Sequence, residues 1–393
     1  MSLPTLDELR GLEQARVLLR LDLNVPLADG EVLDASRIDA ALPTLRWLTA
    51  RAPVVAACSH LGKAKGAPDP AFSLAPVAAA LERALRRPVV FVRDCLDPSI
   101  ASAGPGSLLL LENLRFDSGE KANDPEFARR LAAPFSHYVN DAFGTAHRSH
   151  ASVVGVPELY GPGHKAAGFL MEAEVAALRR MVVDPEQPYV AAVGGAKVST
   201  KTAPLEALVS RVQTLLIGGG MANTFLLAQG HEVGRSLVEE EMVTTAREVL
   251  RLAEVRGVNL ELPTDVVVTD SVSEPSIIEI VDADAVPPET MIVDLGPVSR
   301  NRYREAILGA RTVFWNGPMG VFESEPFAEG TMVLANALAE SRAFTVVGGG
   351  ESVMAVHRAG VAAGIDHIST GGGASLAFLT GETLPAIEAL ETG

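Results

Sequence analysis

Three runs of three glycines lie in the second half of this chain, and each directly follows a short apolar stretch. The runs are in LLIGGGMAN (215–223), TVVGGGES (345–352) and HISTGGGAS (367–375), and YVAAVGGAKVSTK (189–201) repeats the pattern with two glycines. A strand that ends in glycines turns without Cβ clashes, and the helix that follows directs its N–H groups into the turn. Such turns hold phosphates, so we predict a nucleotide site in this half; for any single run, a tight turn without a ligand is the alternative.

The first half has basic side chains where the second half has glycines. Its polar segments lie behind or beside apolar runs: RLDLNVP (20–26), DASR (34–37), SHLGK (59–63), LENLRF (111–116) and DAFGTAHRSH (141–150). Arg, His and Lys bind small anions through charge-assisted hydrogen bonds. The two halves therefore predict two different anionic ligands.

The charge is unevenly distributed between the halves. Residues 1–170 hold 18 Lys and Arg against 19 Asp and Glu, a net of −1, which leaves −15 of the total −16 for the rest. An acidic half that is shaped for phosphate predicts a ligand that arrives with a divalent cation; a solvated acidic surface is the alternative. The overall charge argues against nucleic-acid or anionic-membrane binding.

Length and composition predict two domains in a reducing compartment. A chain of 393 residues, 48% hydrophobic, is too long for one core. It starts without an apolar signal region and has no stretch of about 18 apolar residues, so we expect a cytoplasmic protein. The two cysteines, Cys58 and Cys95, lie in or beside apolar runs, which favours buried thiols over disulfides.

Apolar runs alternate with helical patterns along the whole chain. The predicted strands are 17–23, 53–58, 88–92, 107–113 and 136–141 in the first half, and 189–193, 214–218, 265–270, 291–296, 312–317 and 344–348 in the second. Such runs between amphipathic helices predict an α/β fold with two doubly wound, Rossmann-like parallel-sheet domains, whose ligands bind at the carboxyl ends of the strands. Helical spacing in 169–188, ended by Pro185 and Pro188, predicts a stiff connector.

Nine segments together resemble phosphoglycerate kinases. They run in order from residue 20 to residue 376: RLDLNVP, SHLGK, LENLRF, NDAFGTAHRSHAS, GGAKVSTK, GGGMANTF, WNGPMGVFE, GGGES and STGGGASL. The resemblance implies a substrate domain at 1–170 with about 380–393, a hinge helix at 171–184, a nucleotide domain at 185–379, and a C-terminal tail that returns to the N-terminal domain. It also implies a monomer that binds small molecules.

The resemblance places 3-phosphoglycerate on the N-terminal domain. The implied substrate residues are Asp22, Leu23, Asn24, Arg37, His60, Leu61, Gly62, Lys63, Arg115 and Arg148. The residues themselves support part of this, because Arg20, Asp22 and Asn24 alternate on one strand face. Strand-end turn chemistry remains the alternative for Asp22 and Asn24, and a surface ion pair for a lone arginine.

The resemblance places MgATP or MgADP on the C-terminal domain. The implied nucleotide residues are Gly195, Ala196, Lys201, Gly218, Gly219, Gly296, Asn316, Pro318, Glu323, Gly349, Gly350, Glu351 and Ser352. Glu351 is also the implied Mg²⁺ carboxylate. A turn role for Asn316 and a solvated charge for Glu323 are the alternatives, although a ribose diol needs an acceptor such as Glu323.

The implied reaction is reversible phosphoryl transfer between 1,3-bisphosphoglycerate and ADP, which gives 3-phosphoglycerate and MgATP in glycolysis. The implied catalytic groups are Arg37, Lys197 and the backbone N–H groups of Gly371, Gly372 and Gly373. Catalysis then consists of hinge closure, alignment and charge neutralisation.

Three positions depart from the usual family pattern. Lys63 stands where the family usually has Arg, Glu351 where it usually has Asp, and Ala377 where Glu often follows. Two other functions remain as alternatives. A noncatalytic two-domain anion- or nucleotide-binding protein would be expected to carry a signal peptide, and a nicotinamide-dependent dehydrogenase would be expected to have GxGxxG in its first turn.

Overall fold

A computed structural model describes residues 3–392 of the chain and divides into two compact units. The N-terminal unit runs up to Ala176 and includes a C-terminal segment that starts at Thr383; the C-terminal unit is Ala177–Glu382. The N-terminal unit contains β1 (Arg16–Leu21), β2 (Leu27–Ala28), β3 (Glu31–Val32), α1 (Ser36–Thr49), β4 (Val54–Cys58), α2 (Ala75–Leu85), β5 (Val90–Val92), β6 (Ser107–Leu111), α3 (Ser118–Ala122), α4 (Pro125–Ala132), β7 (His137–Asp141), β8 (Lys165–Ala167) and the start of α5 (Phe169–Val183).

A six-stranded parallel sheet forms the centre of the N-terminal unit, in the order β5-β6-β4-β1-β7-β8. Val17, Leu19 and Leu21 of β1 pack in one hydrophobic cluster with Leu45 of α1. Since side chains alternate along a strand, Arg20 lies on the opposite face. The helices have local start signals; Asp124, for example, accepts the backbone N–H of Phe127 at 2.8 Å at the start of α4.

The C-terminal unit also contains a six-stranded parallel sheet. Its order is β11-β10-β9-β15-β16-β17. The elements are β9 (Tyr189–Val193), α6 (Thr202–Val209), β10 (Thr214–Ile217), α7 (Gly219–Gln229), α8 (Val243–Arg256), β11 (Asn259–Glu261), β12 (Asp265–Thr269), β13 (Ile278–Asp282), β14 (Met291–Leu295), α9 (Pro297–Leu308), β15 (Thr312–Asn316), α10 (Glu329–Glu340), β16 (Phe344–Gly348), α11 (Gly350–Arg358), β17 (His367–Ile368) and α12 (Gly372–Leu379).

The prediction of two parallel α/β sheets is confirmed, but two strands are placed differently from the expectation. Residues 265–270 and 291–296 do form strands, β12 and β14, yet they lie in a separate three-stranded sheet, where β12 pairs antiparallel with both β13 and β14. Parallel neighbours need a crossover of a dozen or more residues, usually a helix. The chain between β12 and β14 instead forms β13, whose side chains are mostly exposed although Ile278, Ile280 and Val281 are apolar.

The C-terminal segment belongs to the N-terminal unit. It contains α13 (Pro385–Glu391). The buried Lys165 donates from Nζ to the carbonyl oxygen of Ala389 at 2.8 Å and to that of Thr392. The backbone N–H of Ala386 donates to the carbonyl of Ala146 at 3.1 Å.

Candidate functional site

In the N-terminal unit, the polar segments of the sequence meet at one edge of the sheet. Strands β6, β4, β1 and β7 are adjacent and parallel, so the segments that follow them come together at their carboxyl ends. These segments carry the predicted substrate residues. The edge is therefore the candidate site of the N-terminal unit.

Asp22 and Asn24 are held by partners from other segments. Asp22, buried after β1, forms an ion pair with Arg37 near the start of α1. Asn24 Oδ1 accepts the backbone N–H of Gly62 at 2.8 Å. A Cβ at Gly62, where φ is +61°, would collide with the Phe72 ring, so this turn requires glycine.

Arg115 is buried with unused hydrogen-bonding capacity. Its Nη1 donates to the carbonyl oxygen of Gly62 at 2.6 Å, whereas Nε and Nη2 are buried and have no partner within residues 3–392. Burial lowers the pKa of Arg115 from 12.5 to about 10. Buried donors without acceptors are unfavourable, and such donors indicate a site for an anion.

The basic side chains form one electrostatic cluster. Burial lowers the pKa of His60 well below 6.5, and the charges of Arg20, Arg115, Arg148 and Arg37 lower it further. A ring inside this much positive charge stays neutral at pH 7. The cluster thus combines four guanidinium groups with a neutral imidazole.

His150 belongs to the same cluster. Burial lowers the pKa of His150 to about 4, and the charges of Arg115, Arg20 and Arg148 act in the same direction. Among the other predicted substrate residues, the side chains of Leu23 and Leu61 pack in the core, so they offer only backbone groups to a ligand, whereas Lys63 and Arg148 are exposed.

In the C-terminal unit, glycine-bearing turns follow five adjacent parallel strands, β10, β9, β15, β16 and β17. The first three turns touch backbone to backbone. The N–H of Gly195 donates to the carbonyl of Pro318 at 2.9 Å, and that of Gly219 to the carbonyl of Met319 at 3.0 Å. At Gly317, where φ is +97°, a Cβ would collide with the carbonyl of Gly194.

A cavity of about 180 Å³ lies beside these turns. Six of the predicted nucleotide residues line it: Gly195, Ala196, Gly219, Pro318, Glu323 and Glu351. Its apolar lining includes Leu237, Pro263, Val266, Ile292, Leu295 and Met319. Glycine turns, three carboxylates including Asp294, and an apolar wall together suit a nucleoside phosphate.

Lys201 lies next to the glycine turns without lining the cavity. Its Nζ donates to the carbonyl oxygens of Gly194 at 2.6 Å and Asn316 at 3.1 Å. Burial lowers the pKa of Lys201 to about 8, and the charge of Glu351 partly opposes this shift. The amine therefore lies beside the turns, and its pKa of about 8 means that it can lose its proton within one pH unit of neutrality. Lys197 is exposed and has Glu239 as a charged neighbour.

Asn316 and Ser352 join neighbouring turns. Asn316 Nδ2 donates to the carbonyl of Gly348 at 2.9 Å, and Ser352 Oγ accepts the N–H of Gly317 at 2.6 Å. These bonds tie the ends of β15 and β16 to the start of α11. Gly218, Gly349 and Gly350 belong to the same turns and do not line the cavity.

Gly371, Gly372 and Gly373 start α12, and Gly372 lies against Gly349. A Cβ at Gly372 would come within 2.8 Å of the Gly349 Cα atom, so the glycine turns before α11 and α12 pack closely. The first N–H groups of a helix have no acceptor within the helix. Both turns can thus offer backbone donors to a phosphate.

Gly296 differs from the other predicted nucleotide residues. It precedes α9 and does not line the cavity. The N-terminus of α9 is capped by Asp265, which accepts the N–H groups of Val298 at 3.0 Å and Ser299 at 2.7 Å. These N–H groups at the start of α9 therefore already have an acceptor within the protein.

The donor set fits a metal that arrives with a nucleotide. Within residues 3–392 there is no cluster of three or more His, Cys, Asp or Glu side chains that could hold a metal ion. Mg²⁺ commonly binds through one or two carboxylates plus phosphate oxygens. Glu351, exposed at the cavity in the first turn of α11, can supply one of these ligands.

The sequence missed two groups of residues in these sites. The first is a buried network of Arg20, Glu120 and Ser152 behind the substrate edge. The second is the apolar cavity wall together with Asp294, whose pKa is raised to about 6 by burial. Arg20 itself was expected on the same strand face as Asp22 and Asn24, but no local pattern indicated its buried partners Ser152 and Glu120. The wall comes from several separate segments, and no single pattern marks it.

No helix in the described part of the chain is long and apolar enough to cross a membrane. The family model described as phosphoglycerate kinase matches residues 6–382. The chain is 51% identical over 383 residues to the phosphoglycerate kinase of Moorella thermoacetica (96% of this chain, 97% of that protein) and 51% identical over 381 residues to that of a Thermus thermophilus strain (96% and 97%).

Solved structures are similar over nearly the full length. The phosphoglycerate kinase of Coxiella burnetii matches with a TM-score of 0.90 at 41% identity and 99% coverage of both chains. That of Pyrococcus horikoshii matches with a TM-score of 0.85 at 33% identity and 98% coverage of both. Because the family model and these relatives match nearly the whole chain, this chain belongs to the phosphoglycerate kinase family.

Proposed function

We propose that this enzyme catalyses reversible phosphoryl transfer between 1,3-bisphosphoglycerate and ADP, forming 3-phosphoglycerate and ATP. The observation that carries the proposal is a pair of anion sites of different chemistry, one on each unit. Buried arginine donors lie in the N-terminal unit, and glycine turns border a partly apolar cavity in the C-terminal unit. The first suits a small phosphorylated acid and the second a nucleotide.

The substrate is bound by the N-terminal unit. Arg115, Arg148, His60 and Arg37 contact its charged groups, and the unpartnered Nε and Nη2 of Arg115 supply donors that are already in place. Asp22 and Asn24 bind its hydroxyl and carboxylate end. Leu23, Leu61, Gly62 and Lys63 complete this region.

The nucleotide is bound by the C-terminal unit. The apolar wall receives the base, Glu323 accepts from the ribose, and the glycine turns with Lys201 bind the phosphates. Glu351 would hold Mg²⁺ together with the phosphate groups. When bound, the metal neutralises charge on the phosphate oxygens.

The chemistry needs no general base. The nucleophile is a carboxylate, which is ionised at pH 7 because carboxyl pKa values lie near ~4. The protein therefore accelerates transfer by alignment and by neutralising charge on the transferring group. Lys197 and Arg37 provide positive charge, and Gly371, Gly372 and Gly373 provide backbone donors at the start of α12.

Transfer requires closure of the enzyme around its ligands. The reacting atoms must approach to about 3–3.5 Å, and the two ligands are assigned to different units joined through α5. Closure satisfies this distance and excludes water while the phosphoryl group moves. Small-angle scattering with both ligands should give a smaller radius of gyration than with either alone; equal radii in an active preparation contradict closure.

The enzyme works as a cytoplasmic monomer in glycolysis, and its partners are small molecules rather than nucleic acid. The comparisons give no support to a noncatalytic binding protein. An assay of ATP formation tests the function directly, with omission of ADP, 1,3-bisphosphoglycerate or Mg²⁺ as controls. Ligand binding without ATP formation in the complete mixture contradicts the proposal.

A further inference from the structure

Arg20 is fully buried in β1 behind the substrate site, and all three parts of its guanidinium group have partners. Nε donates to Ser152 Oγ at 2.9 Å, Nη1 donates to the carbonyl of Leu21, and Nη2 lies 3.4 Å from His60 Nδ1. The Arg20 side chain therefore connects Ser152 in the interior of the unit to the imidazole ring of His60 in the substrate site.

The direction of each hydrogen bond in this network is fixed. Ser152 donates through Oγ to Glu120 Oε1 at 2.7 Å and through its backbone N–H to Oε2 at 2.9 Å. A carboxylate only accepts, so the serine proton points to Glu120 and its lone pair receives the Arg20 Nε–H. Glu120 is fully buried, and through Ser152 it balances the charge of Arg20.

The same reasoning fixes the proton on His60. Arginine has five donors and no acceptor, so His60 Nδ1 must accept with its lone pair. The ring proton then resides on Nε2, which has no hydrogen bond within residues 3–392. The charged groups around the ring, Arg20, Arg37, Arg115 and Arg148, all disfavour a second proton.

We propose that Arg20 is a positioning residue that fixes His60 as a neutral ring with its proton on Nε2, so that His60 offers one N–H donor to the substrate anion. This inference rests on the proposed function for the identity of the anion. A hydrogen-bonded partner commonly selects the tautomer of a functional histidine. The neutral ring adds a donor without adding a further positive charge to a cluster of four arginines.

The first test is the tautomer of His60 in the full-length protein. Nitrogen-15 spectra of histidine-labelled protein distinguish the two neutral tautomers and the charged ring, and a His60→Gln variant assigns the signal. We expect a neutral ring protonated on Nε2 from pH 6 to pH 8. A ring protonated on Nδ1, or a charged ring, overturns the proposal, and this measurement needs no folded Arg20 variant.

The second test separates positioning from a purely structural role. Arg20→Met should give a mixture of tautomers and raise the KM for 3-phosphoglycerate roughly tenfold, with little change in the KM for ATP. Arg20→Lys retains the charge and a donor and should keep more of the Nε2–H tautomer. Arg16→Met is the matched control, because Arg16 lies at the other end of β1 and binds backbone carbonyls; it should leave the tautomer and both KM values unchanged.

The outcomes distinguish this inference from the proposed function. An unchanged tautomer in a folded Arg20→Met variant overturns the positioning role, whatever the activity. If Arg20→Met does not fold, Ser152→Ala tests the same network by removing the link between Arg20 and Glu120, and we expect partial loss of the Nε2–H tautomer. A parent with the Nε2–H ring that forms no ATP supports the inference and contradicts the proposed function.

Discussion

Arg115 donates to the carbonyl oxygen of Gly62 at 2.6 Å, while its buried Nε and Nη2 have no acceptor in the described part of the chain. This one bond fixes the orientation of the side chain, so its remaining donors are in place before a ligand arrives. Preorganised donors lose less entropy on binding than a flexible side chain does. The turn after β4 therefore holds Arg115 in an orientation that can bind the substrate anion.

Replacement of Arg115 should affect the two ligands very differently. Arg115→Ala removes charge-assisted hydrogen bonds of roughly 1.5–3 kcal/mol, so the KM for 3-phosphoglycerate should rise roughly 10- to 100-fold while nucleotide affinity stays nearly constant. Steady-state kinetics measures the KM, and calorimetric titration measures the affinity for each ligand. Arg129→Ala, at an exposed ion pair with Glu126, is the control. Weaker ADP binding with unaltered 3-phosphoglycerate binding contradicts the assignment.

Lys197 should act mainly in the transition state. It is exposed and lies near Glu239, and we expect its charge to act on the transferring phosphoryl group. Lys197→Ala should lower kcat by about 10²-fold or more and change both KM values much less. Arg251→Ala removes another exposed cation of the same unit, on α8, and should have no effect. A kcat of Lys197→Ala within about threefold of the parent contradicts this role.

Lys201 should make nucleotide affinity depend on pH. Its pKa is lowered to about 8 by burial, and only the charged amine attracts phosphate, so affinity should fall as pH rises above 8 and the free enzyme loses this proton. The loss of one proton can lower the nucleotide affinity by at most about tenfold per pH unit. Phosphate groups with pKa values near ~6 are already ionised there.

Calorimetry in buffers of different ionisation enthalpy should detect proton uptake when ADP binds above pH 8. Lys201→Arg provides the control, because a guanidinium stays charged over this range. Its ADP affinity should be independent of pH from 7 to 9. An equal fall in affinity in the parent and in this variant would remove Lys201 from the explanation.

Glu351 should determine how nucleotide binding depends on Mg²⁺. Glu351→Ala should raise the Mg²⁺ concentration needed for half-maximal ADP binding, whereas Glu351→Asp should retain most of the parent's response because a carboxylate remains. Glu254→Ala, at an exposed position of α8, controls for the loss of negative charge. If the parent and Glu351→Ala show the same shift between titrations with and without Mg²⁺, Glu351 is not a metal ligand.

The sequence predicted the parallel sheets because each central strand is a buried apolar run. It did not predict that β12 and β14 lie in a separate antiparallel sheet, since a buried apolar run has the same composition in a parallel and in an antiparallel sheet. In the exposed β13, Glu279 and Asp282 interrupt the apolar residues Ile278, Ile280 and Val281, and this segment was not predicted as a strand. Strand pairing depends on contacts between distant segments, which periodicity does not encode.

Some site residues could also be predicted from local sequence, and others could not. The glycine turns and the polar strand ends could be recognised locally, because each is a short motif directly after a strand. The unpartnered donors of Arg115 could not, since they depend on which acceptors the fold brings near. The cavity wall was missed because residues as far apart as Leu237 and Met319 form it.

The most direct test of the account is a single-turnover experiment with enzyme in excess. The parent is mixed with MgADP and with 1,3-bisphosphoglycerate that carries a labelled acyl phosphate, and the labelled products are followed over time. We expect the label to appear in ATP, with Lys197→Ala much slower. Label released as inorganic phosphate, or retained on the substrate while both ligands are bound, would contradict direct transfer between two sites on the two units.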